Sequence, residues 1–408
     1  MIPATFDLDA FIQRRVTQRD RSLFADDLEA NAATLRERIE GRSVLVIGGA
    51  GTIGSSFIRA LLPFEPARLV VVDTNENALT ELTRDLRSSE GTIVPPAYTT
   101  YPVDFGSATF ARLFRAEGPF DIVAHFAAHK HVRSEKDRFS IEAMVGNNVI
   151  STVRLLDLLA ESPPERFFCV STDKAANPAN VMGASKKLME EAVLAYAGAG
   201  VVAATTARFA NVAFSNGSLP AGFLERIAKR QPLSAPSDVL RYFVSPDESG
   251  QLCLAACVLG QPGDILFPRL SEPQMLTFSA IAEELLEDLG LWPERYATEA
   301  EAKDAAAAMA PNDRTWPVHF FASDTSGEKS AEEFHTDSEE LDLERFAALG
   351  IVRGRTDRTV DDIRGTVADL VELFERPDLD KADIVAALSR LVPTFSHVET
   401  GRGLDQRM

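Results

Sequence analysis

The sequence predicts an α/β fold built around a doubly wound parallel sheet, and three observations lead to this prediction. Apolar runs typical of buried strands alternate with helical patterns from residue 43 onward. A glycine-rich turn follows the first of these runs. The second run ends in an acidic residue, Asp73. A smaller C-terminal part and an N-terminal helical arm complete the predicted architecture.

The individual strands of this sheet can be placed from their apolar character. A helical pattern over residues 53–62 separates the first two of them. Because strands joined by helices pair in parallel, we expect their carboxyl ends, and any site, at one edge of the sheet. The predicted strands are SVLVIG (43–48), RLVVVD (68–73), a short strand near 101–104, DIVAHFAA (121–128) and RFFCVST (166–172).

The remaining organisation is less regular. The chain is predicted to divide into an arm (1–40), a nucleotide-binding domain (41–268, with a substrate-facing insert at about 213–240), a substrate-binding domain (269–355) and a helical tail (356–408). The arm is amphipathic and would dock on the main domain or on a neighbouring subunit. GDILFP (263–268) resembles a returning strand, and TEAEAKDAAAAMAPND (298–313) is either a mobile loop or a weakly held helix.

Composition excludes several classes of protein. The chain has 408 residues with 61 acidic and 42 basic side chains, giving a net charge of −19, so nucleic acid is not an expected partner. We see no membrane segment and no signal peptide, and therefore expect a cytoplasmic protein. Three cysteines cannot form a disulfide framework, and Cys253 and Cys257 favour core packing over metal ligation. No metal is expected.

The glycine-rich turn predicts a dinucleotide site. Gly48, Gly51 and Gly54 would form a tight turn, let the backbone approach a pyrophosphate and seat the helix against the strand. Asp73 follows Gly54 by 19 residues, close to the spacing of a ribose-binding acid, and would favour NAD over NADP. Further candidates for cofactor binding are Thr52, Ile53, Asn75, Asp104 and Ala127. Asp104, at the end of the third predicted strand, is a candidate for the adenine edge, with a loop acid or a helix N-cap as the alternative.

A basic segment stands out in this acidic chain. HKHVRSEK (129–136) holds two histidines, two lysines and an arginine. It supplies the local positive field that a diphosphate needs, although a solvated basic loop is a serious alternative.

These segments together resemble the extended short-chain dehydrogenase/reductase family, which has a Rossmann domain. More narrowly, they resemble the bacterial nucleotide-sugar 4,6-dehydratases of polysaccharide biosynthesis, in a soluble form. STDKAANPANVMGASKK is the most specific of them. The segments that carry the resemblance are GGAGTIG (48–54), HFAAHKHV (125–132), GNNV (146–149), STDKAANPANVMGASKK (171–187), RFANV (208–212), RYF (241–243) and GEK (327–329).

The resemblance implies a role for each matching residue. Ala127 would lie in the turn beside the nicotinamide ribose, and Asn148 would support the sheet and a proton-relay water. Lys186 would bind the ribose hydroxyls. The catalytic residues would be Thr172, Asp173, Lys174, Met182 and Lys186, and the residues facing the sugar nucleotide would be Lys130, His131, Asn211 and Arg241.

Three departures from the family pattern bear on the substrate and on one proton transfer. Met182 stands four residues before Lys186, where most of the family has tyrosine, and a thioether cannot exchange a proton. A branch of the dehydratases also has methionine there, so the base for the sugar hydroxyl stays open. Asn216 replaces a frequent arginine, and the segment before Gly327 lacks the usual Arg-Pro.

The implied reaction is an NAD-dependent 4,6-dehydration of UDP-N-acetylglucosamine. Oxidation at C4 acidifies the C5 proton, water leaves across C5–C6, and the hydride returns to C6. Thr172 would hydrogen-bond the C4 oxygen. Lys174, if its pKa is lowered by burial and by a nearby nicotinamide charge, would act as base at C5. Asp173, if a low-polarity site keeps it protonated, would give a proton to the leaving hydroxyl.

Two alternatives stay open. The chain could be a 4-epimerase or C5-inverting dehydratase, or an NAD-binding regulator without catalysis. A homodimer or larger assembly is expected, with the helical runs 144–160 and 183–197 as candidate pairing elements.

Overall fold

The structure is a computed structural model that describes residues 3, 5–323, 329 and 331–397. Its strands, in chain order, are β1 (Ser43–Ile47), β2 (Arg68–Asp73), β3 (Ala97–Pro102), β4 (Ile122–His125), β5 (Arg166–Val170), β6 (Ala204–Ala207), β7 (Asn211–Val212), β8 (Leu233–Pro236), β9 (Leu240–Val244), β10 (Asp264–Pro268), β11 (Met275–Thr277), β12 (Trp292–Arg295), β13 (Thr315–Phe321), β14 (Leu341–Asp342) and β15 (Leu349–Arg353). Its helices are α1 (Leu8–Phe11), α2 (Ala25–Ala30), α3 (Ala32–Ile39), α4 (Thr52–Leu61), α5 (Glu76–Ser88), α6 (Ala108–Glu117), α7 (Arg138–Val145), α8 (Thr152–Glu161), α9 (Val181–Gly198), α10 (Leu219–Ala228), α11 (Pro246–Leu259), α12 (Phe278–Asp288), α13 (Glu299–Ala308), α14 (Val360–Phe374) and α15 (Lys381–Leu391).

The main sheet has the order β14-β15-β10-β6-β5-β4-β1-β2-β3. Every pair from β3 to β10 is parallel, and only β15 and β14 run antiparallel to their neighbours. The strand order reverses between β1 and β4, which places a crevice at their carboxyl ends. The predicted doubly wound parallel sheet is therefore confirmed.

Both faces of this sheet are buried, as the continuous apolar runs require. Val44 and Val46 of β1 pack into the core on one face, whereas Leu45 and Ile47 pack into the core on the other. Successive side chains of a strand point to opposite faces, so one short segment serves two cores. The ends of the strands are thereby held rigidly, which fixes the position of whatever follows them.

Two three-stranded sheets, β11-β9-β7 and β12-β13-β8, lie outside the main sheet. They share a separate apolar cluster with α12, in which Phe243, Leu285 and Trp316 are buried. The antiparallel strands β14 and β15 fall within the range 269–355, yet they extend the main sheet. The division into domains stays a prediction.

The N-terminal arm packs on its own chain. Phe11 joins the cluster around Phe243, while Leu35 joins the core of the main sheet. Arg19 donates to both carboxylate oxygens of Glu248 at 2.8 and 2.7 Å. The arm thus ties the smaller sheets to the main one.

The alanine-rich stretch around residue 300 is a helix, α13, rather than a loop. Thr298 caps it, since its hydroxyl accepts from the Glu301 amide and the Glu301 carboxylate accepts from the Thr298 amide. Ala302 and Ala306 of this helix are buried. Small apolar residues at this spacing let the helix lie close to β13.

The C-terminal helices α14 and α15 cover the face formed by α7, α8 and α9. Leu370, Ile384 and Leu388 pack there against Met144 and Leu188. These last two residues belong to the helical runs 144–160 and 183–197, which we expected to be available for pairing. Their apolar side chains are instead buried by the chain's own tail.

Candidate active site

The turn after β1 has the shape that the glycines predict. Gly48 has a φ of +74°, and a Cβ there would lie 2.4 Å from the Ala127 amide nitrogen. A Cβ on Gly54 would lie 2.3 Å from the Gly48 carbonyl oxygen. At Gly51, by contrast, a Cβ would meet only that oxygen, at 3.6 Å, so the protein leaves space there. Open space at the amino end of α4 fits the pyrophosphate of a dinucleotide.

Asp73 lies against this turn. Its Oδ2 accepts a hydrogen bond from the Ala50 amide at 3.1 Å, and its Oδ1 accepts from the Asn75 amide at 3.0 Å. Each carboxylate oxygen keeps a further lone pair, so the group fits ribose hydroxyls beside the glycine turn.

Two other candidates for cofactor binding, Asn75 and Asp104, accept hydrogen bonds from backbone amides close to them in sequence. Asn75 caps α5 by accepting from the Ala78 amide at 3.0 Å. Asp104 is exposed and accepts from the Gly106 amide at 2.9 Å, which is the loop-acid arrangement. Cofactor binding by these two residues stays a prediction.

The loop after β4 is fixed by Asn148. Its Oδ1 accepts from the His129 amide at 2.9 Å, and its Nδ2 donates to the His129 carbonyl at 2.9 Å and to Ser185 at 3.0 Å. Asn148 is 1% exposed. It joins the start of the basic segment to helix α9, and thereby holds Ala127 beside Gly48.

Three hydrogen-bond donors from Thr172 and Lys174 meet on one oxygen atom of Asp173, just beyond β5. Asp173 Oδ1 accepts from the Thr172 hydroxyl at 2.8 Å, from the Lys174 amide at 2.9 Å and from Lys174 Nζ at 3.0 Å. Asp173 is 4% exposed. A hydroxyl, a carboxyl and an amine are thus collected at the carboxyl edge of the sheet, beside the crevice.

Lys174 differs from the expectation in its protonation. Burial alone disfavours the ammonium, but Asp173 and Glu332 outweigh burial and raise the pKa of Lys174. Burial therefore does not lower the pKa of Lys174 as expected, because two carboxylates face the amine, with Glu332 Oε1 3.6 Å from Nζ.

Glu332 was not among the residues singled out from the sequence. It follows Lys329 of the GEK segment by three positions, and no spacing rule marks it as part of a site. Residues 324–328 and Ser330, and with them Gly327 and Glu328 of that segment, lie outside the described residues. The missing Arg-Pro before Gly327 therefore stays a sequence observation.

Lys186 is buried, not solvated. Its Nζ donates to the Val170 carbonyl at 2.7 Å, at the end of β5, and burial lowers its pKa. Met182, one turn earlier, is 3% exposed and packs in the cluster beneath α14 and α15. Its amide donates to Glu135 at 2.9 Å, so the basic segment also caps this helix.

A cavity of about 1100 Å³ opens beside the basic segment. Lys130, His131 and Lys136 line one side, and Asn211, Arg226 and Lys303 also line it. Lys130 Nζ donates to the Asn216 carbonyl at 3.0 Å, while the Asn216 amide donates to the Thr52 hydroxyl at 2.9 Å. The loop at residue 216 therefore links the cavity to the glycine turn.

Arg241 lies deeper. It is 5% exposed, its Nη1 donates to the Lys329 carbonyl at 3.0 Å, and its Nη2 lies 3.9 Å from Glu332. The structure therefore brings Arg241 close to Glu332 and Lys174, whereas Lys130, His131 and Asn211 line the cavity.

The sequence of this chain matches a family model described as "Polysaccharide biosynthesis protein" over residues 44–348. The chain belongs to that family. Family membership and the parallel sheet identify it as an extended short-chain dehydrogenase/reductase resembling nucleotide-sugar dehydratases. The region matched ends just before β15 and includes every candidate site residue.

Two relatives show the range of the family. An uncharacterized membrane protein of Methanocaldococcus jannaschii is 35% identical over 62% of this chain and 74% of its own length. An inverting UDP-N-acetylglucosamine 4,6-dehydratase of Campylobacter jejuni is 24% identical over 56% of this chain and 67% of its own. The chain spans less than half the length of two other curated relatives. Among the described residues, no helix has both the length and the apolar character needed to cross a membrane.

Two solved structures share the fold. Pen from Bacillus thuringiensis has a TM-score of 0.62 at 21% identity, covering 79% of this chain and 89% of its own. The UDP-glucuronic acid 4-epimerase of Bacillus cereus, solved with UDP-glucuronic acid and NAD, has a TM-score of 0.54 at 15% identity, covering 81% and 99%.

Proposed function

We propose that this chain is an NAD-dependent 4,6-dehydratase acting on UDP-N-acetylglucosamine. The observation that carries the proposal is the convergence of Thr172, Asp173 and Lys174 on one oxygen atom at the carboxyl edge of the sheet. Dehydration next to a carbonyl needs a hydrogen-bond donor for that carbonyl, a base and an acid. The three side chains provide one of each.

The cofactor would be held by the glycine turn, by Asp73 and by Lys186. NAD, when bound, supplies the acceptor that takes a hydride from the sugar and returns it. Asp73 would bind the adenosine ribose, because its carboxylate already lies against Ala50 in the turn. Lys186 would donate to the nicotinamide ribose from the end of β5.

The reactive side chains would then each handle one proton. The Thr172 hydroxyl would donate to the C4 oxygen, Lys174 would take the C5 proton, and Asp173 would give a proton to the departing C6 hydroxyl. Lys174 must first lose its own proton, because Asp173 and Glu332 as carboxylates favour the ammonium, and Asp173 must enter the elimination step in its protonated form.

The cavity suits the other end of the substrate. A sugar nucleotide carries its charge on the diphosphate, and four of the residues that line the cavity are lysine or arginine: Lys130, Lys136, Arg226 and Lys303. Since the whole chain has a net charge of −19, this local positive field is what would attract an anionic substrate.

Mass spectrometry of UDP-N-acetylglucosamine incubated with the protein tests the proposal. Loss of one water from the sugar nucleotide is the expected result, with NAD supplied so that co-purification is not required. A protein that removes water from no UDP-, dTDP- or GDP-hexose would contradict it. NMR of the product at C5 separates retention from inversion.

A 4-epimerase is the second candidate, and Asp173 distinguishes the two. Epimerisation also oxidises C4 but removes no hydroxyl from C6, so it needs no acid there. Asp173→Asn should abolish dehydration, whereas an epimerase would retain activity in this variant. A regulator without catalysis would bind NAD and tolerate Lys174→Ala without consequence.

A further inference from the structure

Glu332 is a buried carboxylate with an unfilled hydrogen-bonding oxygen. Its side chain is 4% exposed, and three cations surround it without reaching hydrogen-bond distance. Lys174 Nζ is 3.6 Å and Arg241 Nη2 3.9 Å from Oε1, while Lys329 Nζ is 3.7 Å from Oε2. In the described part of the chain, Oε2 accepts no hydrogen bond. Burying a carboxylate oxygen without a donor is costly, so this arrangement calls for an explanation.

Slack in the backbone does not explain it, because the segment is anchored directly after Glu332. Asn177 donates to the neighbouring Glu333 at 2.7 Å. Two residues on, the Phe334 carbonyl accepts from the buried Arg208 at 3.1 Å, and the Phe334 ring stacks on Phe267. The carboxylate is thus held where it is, with its capacity to accept a proton left open.

Four charged side chains act on Glu332: Asp173, Lys174, Arg241 and Lys329. Burial raises the pKa of Glu332, and the Asp173 carboxylate raises it further, while Lys174, Arg241 and Lys329 oppose both; the balance is a raised pKa. Lys174 therefore lies between two carboxylates, one that it hydrogen-bonds and one that is predisposed to become protonated.

We propose that Glu332 accepts the proton of Lys174 when a bound substrate excludes water, and thereby prepares Lys174 as a neutral base. The N–H bond at Nζ breaks and an O–H bond forms on the Glu332 carboxylate. Ammonium and carboxylate become amine and carboxylic acid, with no change in net charge and no other reactant. Excluding water favours this step, because a neutral pair costs less than an ion pair in a low-dielectric site.

This inference rests on the proposed function, and Glu332 would act through Lys174 rather than on the sugar. Glu332→Gln keeps the shape of the side chain but cannot take the proton. At neutral pH we expect kcat to fall by about 100-fold, the lower range of a lost proton transfer, with little change in KM. The pH profile should change from flat to rising, since Lys174 must then release its proton to water.

Two further variants separate this role from a structural one. Glu333→Gln is the matched control, because Glu333 is the adjacent glutamate but exposed, and it should keep the flat profile. Glu332→Asp retains a carboxyl and should restore the flat profile in part, which matters if Glu332→Gln folds poorly. An equal loss of kcat at every pH in Glu332→Gln, or no loss at all, would overturn the inference.

Infrared spectroscopy gives a readout that does not depend on activity. One protonated carboxyl should persist above pH 4.5, the ordinary glutamate value, and should vanish in Glu332→Gln but not in Glu333→Gln. Lys174→Met removes a cation that lowers the pKa, so the band should persist to higher pH still. If the wild-type protein dehydrates no UDP-hexose, the proposed function fails, and the titration of the Glu332 carboxyl is then the remaining test of the inference. A Glu332 carboxyl that titrates normally, or is unaffected by Lys174→Met, would then overturn the inference.

Discussion

Two buried charge clusters lie side by side at the end of β5, and they are built in opposite ways. The first, the Arg208 cluster, consists of Ser171, Lys187, Glu190, Arg208 and Glu339. Arg208 makes two bonds to the Glu190 carboxylate, at 2.9 and 2.7 Å, and two to the Glu339 carboxylate, at 2.9 and 2.8 Å. Ser171 adds a fifth bond, to Glu190. Each of the four carboxylate oxygens thus accepts a hydrogen bond from Arg208.

The second, the Lys174 cluster, consists of Thr172, Asp173, Lys174, Arg241 and Glu332. Three donors crowd onto one oxygen of Asp173, while an oxygen of Glu332 has no hydrogen-bond donor in the described part of the chain. The pKa shifts follow this difference. Burial raises the carboxyl pKa in both clusters, but Arg208 overcomes burial and lowers the pKa of Glu190, whereas that of Glu332 stays raised. A saturated cluster holds the fold, and an unsaturated one can exchange protons.

The largest expected effect is on stability, from Arg208→Met. Arg208 and Glu190 are both fully buried, and removing the guanidinium leaves two carboxylates uncompensated. The free energy of unfolding should fall by about 3–5 kcal/mol, measured by urea denaturation.

Arg84→Met is the control for this loss. Arg84 pairs with Glu81 on the surface, where both side chains are about 70% exposed, and exposed pairs contribute roughly 0–1 kcal/mol. If Arg208→Met cost no more than Arg84→Met, the Arg208 cluster would not be the structural one.

The part of this site that could be predicted from sequence is the part made by neighbours in sequence. Gly48, Gly54 and Asp73 belong to one strand–turn–helix–strand unit, so their spacing alone places them together. Thr172, Asp173 and Lys174 are consecutive residues after a strand. The parallel sheet followed from alternating patterns for the same reason, because each element is encoded locally.

What could not be predicted depends on contacts between distant segments. Glu332 reaches Lys174 across more than 150 positions and adds to the effect of the adjacent Asp173, so that the two carboxylates raise the pKa of Lys174 against burial. Arg241 stays a predicted substrate ligand, but its position beside Glu332 is set by the fold and could not be predicted from the sequence. The tail helices α14 and α15 cover α7, α8 and α9 by apolar packing. Their amphipathic sequence patterns indicate an apolar face but not the surface that this face packs against.

A second, smaller effect should depend on pH, through Glu339→Gln. Burial opposes ionisation of Glu339, but its bonds to Arg208 prevail and lower its pKa. A lowered carboxyl pKa stabilises the fold above the unfolded value near 4.5, and that stabilisation is lost as pH falls through the folded value. At neutral pH the variant should lose about 1.5–3 kcal/mol in urea denaturation, the usual worth of a charged hydrogen bond.

The same measurement at acid pH checks the sign. Below both pKa values the wild-type carboxyl is protonated, so wild type and Glu339→Gln should differ little there. A difference that grew on acidification would mean that Glu339 is already neutral in the fold, and the contrast between the two clusters would break.

The smallest effect should come from Lys303→Met, which tests a cation belonging to neither cluster. Lys303 lines the cavity, but its side chain is 58% exposed and it pairs only loosely with Glu299, at 4.0 Å. Solvated charges contribute at most about 1 kcal/mol, so KM for the sugar nucleotide should rise by no more than about fivefold with kcat unaltered. Arg84→Met is again the control, since Arg84 is 70% exposed, pairs with Glu81 on the surface and is not among the residues that line the cavity. A KM unaltered in both variants would place the anionic end of the substrate elsewhere, while a loss of kcat in Lys303→Met would mean that proton transfer extends beyond the Lys174 cluster.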